Sequence, residues 1–379
     1  MCIFTVSSEP PSMANFEGVP ASCNGGRWDL LHSGRTSNMS RLDELRLMGK
    51  VARMYYDQGT RQLEISERLN VHQSKVSRLL KRAREANIVR ISIATPAGFF
   101  PEMEEALESK FDLKEAVVID SDGDEERIVR DLGAAAAFYL ETTVKQEMVI
   151  GISSWSRSLF AMVETLHPSD CGRGGKVVQI LGGVGNASTQ YQATLLAQRL
   201  ASLIGASPVL LQAPGVVGTA QAKAVLVRDP AVQEASILFK KVDLALVGIG
   251  SLQPSSLLAN SGNIFSPQER EELRRKGAVG DICFQFIDQE GLPIDSPLMQ
   301  RVIGIDLATL KRAHRVVGIA GGDQKVPAIL ASLRGHWINV LITDRHTAER
   351  LIALENEGST SAPKRTRAGT KTTSASPPA

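Results

Sequence analysis

Thr60-Arg-Gln-Leu-Glu-Ile-Ser-Glu-Arg-Leu-Asn-Val-His-Gln-Ser-Lys-Val-Ser-Arg-Leu-Leu-Lys-Arg-Ala-Arg-Glu-Ala-Asn-Ile-Val89 decides how the N-terminal part of this 379-residue chain is read. Thr60 stands as an N-cap before a short helix over about 61–69, with Leu63, Ile65 and Leu69 apolar. Asn70 tolerates the left-handed backbone of a tight turn. Ser74 then caps a helix over about 74–86, whose buried stripe is Val76, Leu79, Leu80 and Ala83. Two short helices across a tight turn fit a DNA-reading helix-turn-helix, whose second helix enters the major groove. Packing claims the stripe, which leaves Gln73, Ser74, Lys75, Ser77 and Arg78 outward near the helix start. Gln and Arg make bidentate contacts to adenine and guanine edges. Lys81, Arg82 and Arg84 lie further along, within reach of phosphates, which gives affinity rather than sequence choice. His72 reads equally well as a turn residue or a phosphate contact.

Outward from this stretch, Leu45, Met48, Val51, Ala52 and Tyr55 recur at helical spacing over 43–58, and Gly59 stops that helix. Residues 88–93 alternate as a short strand. Charge is distributed unevenly. Residues 41–95 carry 12 basic and 6 acidic side chains, whereas 96–359 carry 25 and 32, on a chain of net charge +2. A basic module ahead of an acidic body is the pattern of a DNA-binding protein with a separate sensing domain. The bland alternative is a small helical cap with a solvated basic face. Residues 1–40 are rich in Ser, Gly, Pro and Asn and are expected to form a disordered leader. Translation starting at Met39 is a second reading of that segment. Residues 360–379 are expected to be a disordered basic tail.

Beyond residue 96 the pattern changes. Helical segments at 101–110, 125–145, 158–166, 190–204, 267–276 and 325–334 alternate with apolar runs at 116–119, 148–152, 176–181, 208–211, 242–249, 316–320 and 338–343. That alternation predicts an α/β, Rossmann-like ligand-binding domain over 96–359 behind the all-α N-terminal domain 41–95. In such sheets ligands bind beyond the carboxyl ends of strands, where Gly182-Gly183, Gly248/Gly250 and Gly321-Gly322 fall. The hydrophobic fraction of 43 % allows a sizeable core.

Residues 60–89 resemble the DNA-binding segment of the SorC family of bacterial sugar-responsive transcriptional regulators. The resemblance continues through Gly277-Ala-Val-Gly-Asp281, Ala320-Gly-Gly-x-x-Lys325 and Val340-Leu-Ile-Thr-Asp344 followed by Thr347-Ala348, covering about 42–354. Ser66 and Asn70 depart from the family's usual alanine and turn glycine. The resemblance implies operator DNA and a phosphosugar-type effector as partners. It also implies a ligand domain related to sugar-phosphate isomerases, and an oligomer up to a homotetramer. Two half-sites one helical turn or its multiples apart independently imply at least a homodimer.

The candidate pocket can be read from its own chemistry. Gly151-Ile-Ser-Ser-Trp-Ser-Arg-Ser-Leu159 follows an apolar strand and precedes an apolar helix, and hydroxyls plus a cation at a helix N-terminus suit a phosphate. Ser156, Arg157 and Ser158 are the expected ligands, and the alternative is an ordinary Ser-capped helix. Gly182 and Gly183 would let a ligand approach the backbone, or make a plain turn. Gln192 and Asp281 match polar positions of the resembled family. Lys325 offers a charge to a phosphate, or is a surface lysine in a first turn, where the helix dipole disfavours a cation. A free sugar or polyol remains an open alternative to a sugar phosphate.

Catalytic motifs fail. Gly151-x-Ser153-x-Trp155 lacks the last glycine of a nucleophile elbow. Gly248-x-Gly250 and Gly183-x-Gly185 meet Gln253 and Ser188 where a dinucleotide fingerprint needs glycine. No Walker A sequence occurs, and the six histidines include no H-x-x-x-H pair, so neither cofactor nor metal is implied. Cys2, Cys23, Cys171 and Cys283 are scattered as free thiols, which fits a reducing cytoplasm. No apolar run approaches membrane-spanning length, so no membrane partner is expected. The reading is a non-enzyme. Its rival is a sugar-phosphate isomerase-like enzyme with an accessory helical domain, which would need an acid/base pair that is not evident beside Asp281.

Overall fold

The computed structural model describes residues 2–6, 41–86, 88–93, 98–121, 123–183, 187–252 and 265–361. The chain divides between Pro96 and Ala97 into two compact units.

The first unit is helical. It comprises α1 (Arg41–Tyr56), α2 (Gln62–Leu69) and α3 (Gln73–Glu85). Its core is Met48, Val51, Ala52 and Met54 of α1, Ile65 of α2, and Val76, Leu79, Leu80 and Ala83 of α3. Gly59 turns the chain after α1 with a positive φ of 64°, and Asn70 ends α2 in the left-handed region at φ 49°. The caps differ from the sequence expectation. Arg61 occupies the N-cap of α2 with no side-chain hydrogen bond, while Thr60 is buried and donates its N–H to Met54 O at 2.9 Å. His72 caps α3, its ring Nδ1 accepting from Ser74 N at 3.3 Å, so Ser74 lies one residue inside the helix. Of the apolar residues of α2, Ile65 is buried and Leu63 is 56 % exposed. The leader also departs from expectation. Cys2–Val6 forms β1, paired antiparallel with β2 (Val89–Ile93). The remainder of the leader, and the tail beyond Ser361, lie outside the described residues.

The second unit is α/β. In chain order its elements are α4 (Pro101–Phe111), β3 (Glu115–Ile119), α5 (Glu125–Thr143), β4 (Val149–Ile152), α6 (Arg157–Thr165), β5 (Lys176–Gln179), α7 (Ala187–Ile204), β6 (Ser207–Val209), α8 (Ala220–Leu226), α9 (Pro230–Leu238), β7 (Leu244–Gly248), β8 (Gly250–Ser251), α10 (Pro267–Arg275), β9 (Ala278–Ile282), β10 (Gln285–Asp288), α11 (Leu307–Leu310), β11 (Arg315–Ile319), α12 (Val326–Arg334), β12 (Val340–Asp344) and α13 (Arg345–Ser361). Seven strands form one sheet in the order β3-β12-β11-β7-β4-β5-β6, and every pair is parallel. β12 is buried at all five positions, which is why it reads as a continuous apolar run rather than an alternation. One apolar cluster holds Leu140, Ile152, Leu159, Leu200 and Ile342, and another holds Leu107, Ile180, Val247, Ile282 and Leu341. β8, β9 and β10 make a separate antiparallel sheet.

The strand order sets the site. From β4 the chain steps outward to β5 and β6, then returns to place β7 on the other side of β4. The gap between the carboxyl ends of β4 and β7 is therefore a topological switch point, the place where open α/β sheets bind ligands.

Candidate effector pocket

A cavity of about 390 Å³ opens at that switch point. Its walls are the segments after β4 (Ser153, Trp155, Ser156, Arg157), β7 (Gly248 to Ser251) and β11 (Gly321 to Lys325), the β9–β10 turn (Asp281, Cys283, Phe284), and the first turns of α5. Four expected residues meet there: Ser156, Arg157, Asp281 and Lys325.

Ser156 is the N-cap of α6, its Oγ accepting from Leu159 N at 3.4 Å. Arg157 begins the helix and forms an ion pair with Glu125 at the start of α5. Lys325 closes a 3-10 turn, Asp323–Lys325, directly before α12. Burial pushes the Lys325 ammonium below its ordinary range. The Arg157 cation adds to this, and Glu125 and Asp281 oppose it. Asp281 is the second-last residue of β9, its Oδ2 accepting from Phe284 N at 2.9 Å. Asp281 lines the cavity and is only partly accessible. Burial accordingly pushes its carboxyl up to about 6, against the Phe284 N–H and Lys325. A side chain at Gly250 would collide with this carboxylate, so Gly250 keeps the space Asp281 needs.

Three expected residues, Ser158, Gly182 and Gly183, fall away from the cavity lining. Ser158 is buried within α6 and does not line the cavity. Gly182 and Gly183 do not line it either. A Cβ on Gly182 would meet the Ala213–Gly215 backbone at 2.6 to 2.7 Å, and Gly183 bridges to Pro214 in parallel, so Gly182 lets two segments of the chain run side by side. Gln192 falls on α7, and its side chain lies outside the described residues.

The sequence reading also missed part of the wall. Cys283 and Phe284 form the two-residue turn between Ile282 and Gln285, with φ of 53° and 60°. Two consecutive left-handed, non-glycine residues are strained, and such turns ordinarily carry Asn-Gly. Both side chains are buried, and Phe284 packs edge-to-face on Phe265 with centroids 5.3 Å apart. Burial pushes the Cys283 thiol up to about 12, opposed by a hydrogen bond with Ser153 and reinforced by Asp281, so this thiol stays protonated. Without Asn or Gly, the turn left no local signal. Trp155 forms another buried wall, its Nε1 donating to Gly182 O at 3.4 Å. Among the described residues no group of three or more His, Cys, Asp or Glu is placed to hold a metal ion.

On α3 the side chains of Gln73, Ser74, Ser77, Arg78, Lys81, Arg82 and Arg84 are exposed, and Lys75 is half-buried. Arg78 Nε donates to Ser74 O at 3.3 Å, and Arg82 pairs with Glu44 of α1.

Residues 96–353 match the Sugar-bind family, described as "Putative sugar-binding domain". The sorbitol operon regulator of Klebsiella pneumoniae is 33 % identical over 316 residues, covering 83 % of this chain and 100 % of that protein. The deoxyribonucleoside regulator of Bacillus subtilis is 32 % identical over 304 residues, 80 % of this chain and 96 % of that protein. The crystal structure of the full-length sorbitol operon regulator SorC from Klebsiella pneumoniae superposes with a TM-score of 0.63 at 31 % identity, covering 82 % of this chain and 99 % of that one. With a helical N-terminal unit, a parallel-sheet ligand domain and relatives matched over almost their whole length, this chain belongs to the SorC family of sugar-binding transcriptional regulators.

Proposed function

We propose that this protein is a DNA-binding transcriptional regulator of a carbohydrate-utilisation operon, its DNA affinity set by a small sugar, polyol or sugar-phosphate effector. The observation that carries the reading is the cavity at the β4/β7 switch point, where two cations and the Asp281 carboxylate converge. Cations suit a phosphate, and a carboxylate accepts hydroxyl hydrogen bonds. Ser156, Arg157, Asp281 and Lys325 are the effector contacts in this reading, and Arg157 with Lys325 favours an anionic ligand. The cavity size falls within the range of small-molecule sites.

The first unit is read as a helix-turn-helix. α2 and α3 meet at the left-handed Asn70 turn, and α3 turns its apolar stripe inward. Gln73, Ser74, Lys75, Ser77 and Arg78 would face base edges, and Arg82 the phosphates. A homodimer or homotetramer would present two such helices to two half-sites. The effector would act by binding one arrangement of the assembly better than another. Among the described residues no helix is long and apolar enough to cross a membrane. The isomerase-like alternative gains nothing from the geometry. Besides Asp281, the carboxylates on the cavity wall are Glu125, paired with Arg157, and Asp323, paired with Arg350 at 2.8 Å.

The test is selection of tight binders from a random duplex library by the full chain. The selected duplex is then titrated in the presence of sugars, polyols and their phosphates. The reading expects two related half-sites and an affinity that changes with one compound class. Failure to enrich any sequence, or a selected duplex indifferent to every compound, would count against the DNA or the effector half respectively.

A further inference from the structure

Building on the anionic-effector reading, we infer that Glu125 is a built-in counter-ion, holding in the empty cavity the place that the effector's anionic group takes when bound. Glu125 opens α5 and Arg157 opens α6, and the two side chains form an ion pair on the cavity wall. The helices pack closely. A Cβ on Gly133 of α5 would meet Ala161 Cβ of α6 at 2.5 Å, so the two backbones lie in near contact a short way beyond the pair. The side chains differ in freedom: Glu125 is 64 % exposed and Arg157 only 27 %. Glu125 can therefore rotate into solvent while Arg157 stays against the cavity.

The charges explain why a counter-ion is needed. Arg157 and Lys325 line one cavity and repel each other, and the Glu125 carboxylate offsets that repulsion while no ligand is present. An incoming phosphate supplies the same compensation with more charge, so it displaces Glu125. A neutral polyol supplies none and leaves the pair intact. Glu125 thus sets the threshold of negative charge an effector must bring. An acidic residue in a helix's first turn is otherwise accounted for by the helix dipole alone, and that simpler role makes a different prediction.

The experiment is calorimetric titration of the full chain with inorganic phosphate, at ionic strength held constant with chloride, alongside thermal unfolding without ligand. Wild type, Glu125→Gln and Lys325→Gln are compared. Partly exposed ion pairs are weak, so Glu125→Gln is expected to bind phosphate about threefold more tightly. Its melting temperature without ligand should be no higher than that of wild type. Lys325→Gln should lose phosphate binding. Equal or weaker phosphate affinity in Glu125→Gln, with binding still lost in Lys325→Gln, overturns the counter-ion role and leaves the anionic pocket standing. No phosphate binding in either wild type or Glu125→Gln overturns both.

Discussion

Asp344 Oδ2 accepts the backbone N–H of Gly322 at 2.8 Å, tying the end of β12 to the glycine turn that leads into Lys325. Thr347 joins the clasp. Its Oγ1 accepts the same N–H at 2.9 Å and donates to Asp344 Oδ2 at 2.7 Å, and its own N–H reaches Asp344 Oδ1 at 3.0 Å. Gly322 sits at φ 90° and ψ 148°, a conformation essentially restricted to glycine. Two motifs far apart in sequence, Ala320-Gly-Gly and Thr343-Asp344 with Thr347, are therefore halves of one support for the cavity wall. Because Asp344 is buried, Asp344→Ala leaves the Thr347 N–H unpaired and Gly322 N–H held by Thr347 Oγ1 alone. We predict a loss of about 1–3 kcal/mol in urea unfolding and weaker effector binding. Unchanged stability would show that the clasp does not hold the turn.

Asp281 gives the cavity a pH signature. Its carboxyl is raised from 3.8 to about 6 by burial. A carboxyl with a higher pKa in the folded state holds its proton more tightly there. Its contribution therefore favours folding at low pH and is lost as pH rises from about 4 to about 6. Asp281→Asn should thus be more stable than wild type at pH 7.5, by roughly 1–3 kcal/mol, with the difference gone below about pH 4. Urea unfolding across that range checks the sign, and a pH-independent difference would contradict it.

The exposed face of α3 predicts separable effects on DNA. Arg78→Ala and Lys75→Ala should each cost roughly 1–3 kcal/mol against a selected duplex, as expected for a lost base contact. Arg82→Ala should instead weaken binding to all sequences alike and flatten the salt dependence. Anisotropy titrations at several salt concentrations separate the two. Undiminished affinity in both Arg78→Ala and Lys75→Ala would remove α3 as the reading helix.

Gly133 sets two effects against each other. Alanine in its place improves helix propensity by about 1 kcal/mol. The added methyl, however, would lie 2.5 Å from Ala161 Cβ and 2.7 Å from its carbonyl carbon. Overpacking costs roughly 1–3 kcal/mol, and here the neighbour is partly backbone, so the clash should win. Gly133→Ala is expected to lower the melting temperature, and a stabilised variant would mean that α5 and α6 slide apart without cost.

Much of this protein is written locally. The seven apolar runs read from the sequence each overlap a strand of the main sheet, because buried parallel strands leave a continuous apolar signal without help from neighbours. The α3 stripe of Val76, Leu79, Leu80 and Ala83 is likewise legible from its spacing, and all four are buried. Asn70 declared the turn that it makes.

What the tertiary structure alone decided depends on segments distant in sequence. Ser158 carries the right hydroxyl beside Arg157, yet helix rotation buries it, and only the fold reveals which of two adjacent residues faces the cavity. Gly182 and Gly183 look like a ligand loop, but the Ala213–Gly215 backbone runs beside them. Cys283 and Phe284 make a turn that no turn-forming residue announces, because surrounding packing rather than local preference holds it. Glu125 and Arg157 stand 32 residues apart and meet where α5 and α6, in close approach at Gly133, bring their starts together. Sequence by itself determined the strands of the main sheet and the helices that alternate with most of them, since backbone preference and hydrophobic period act over a few residues, but not the β8–β10 sheet or the helices at 220–238. The cavity and its charge balance were left to the sheet, since an electrostatic field is set by distance in space.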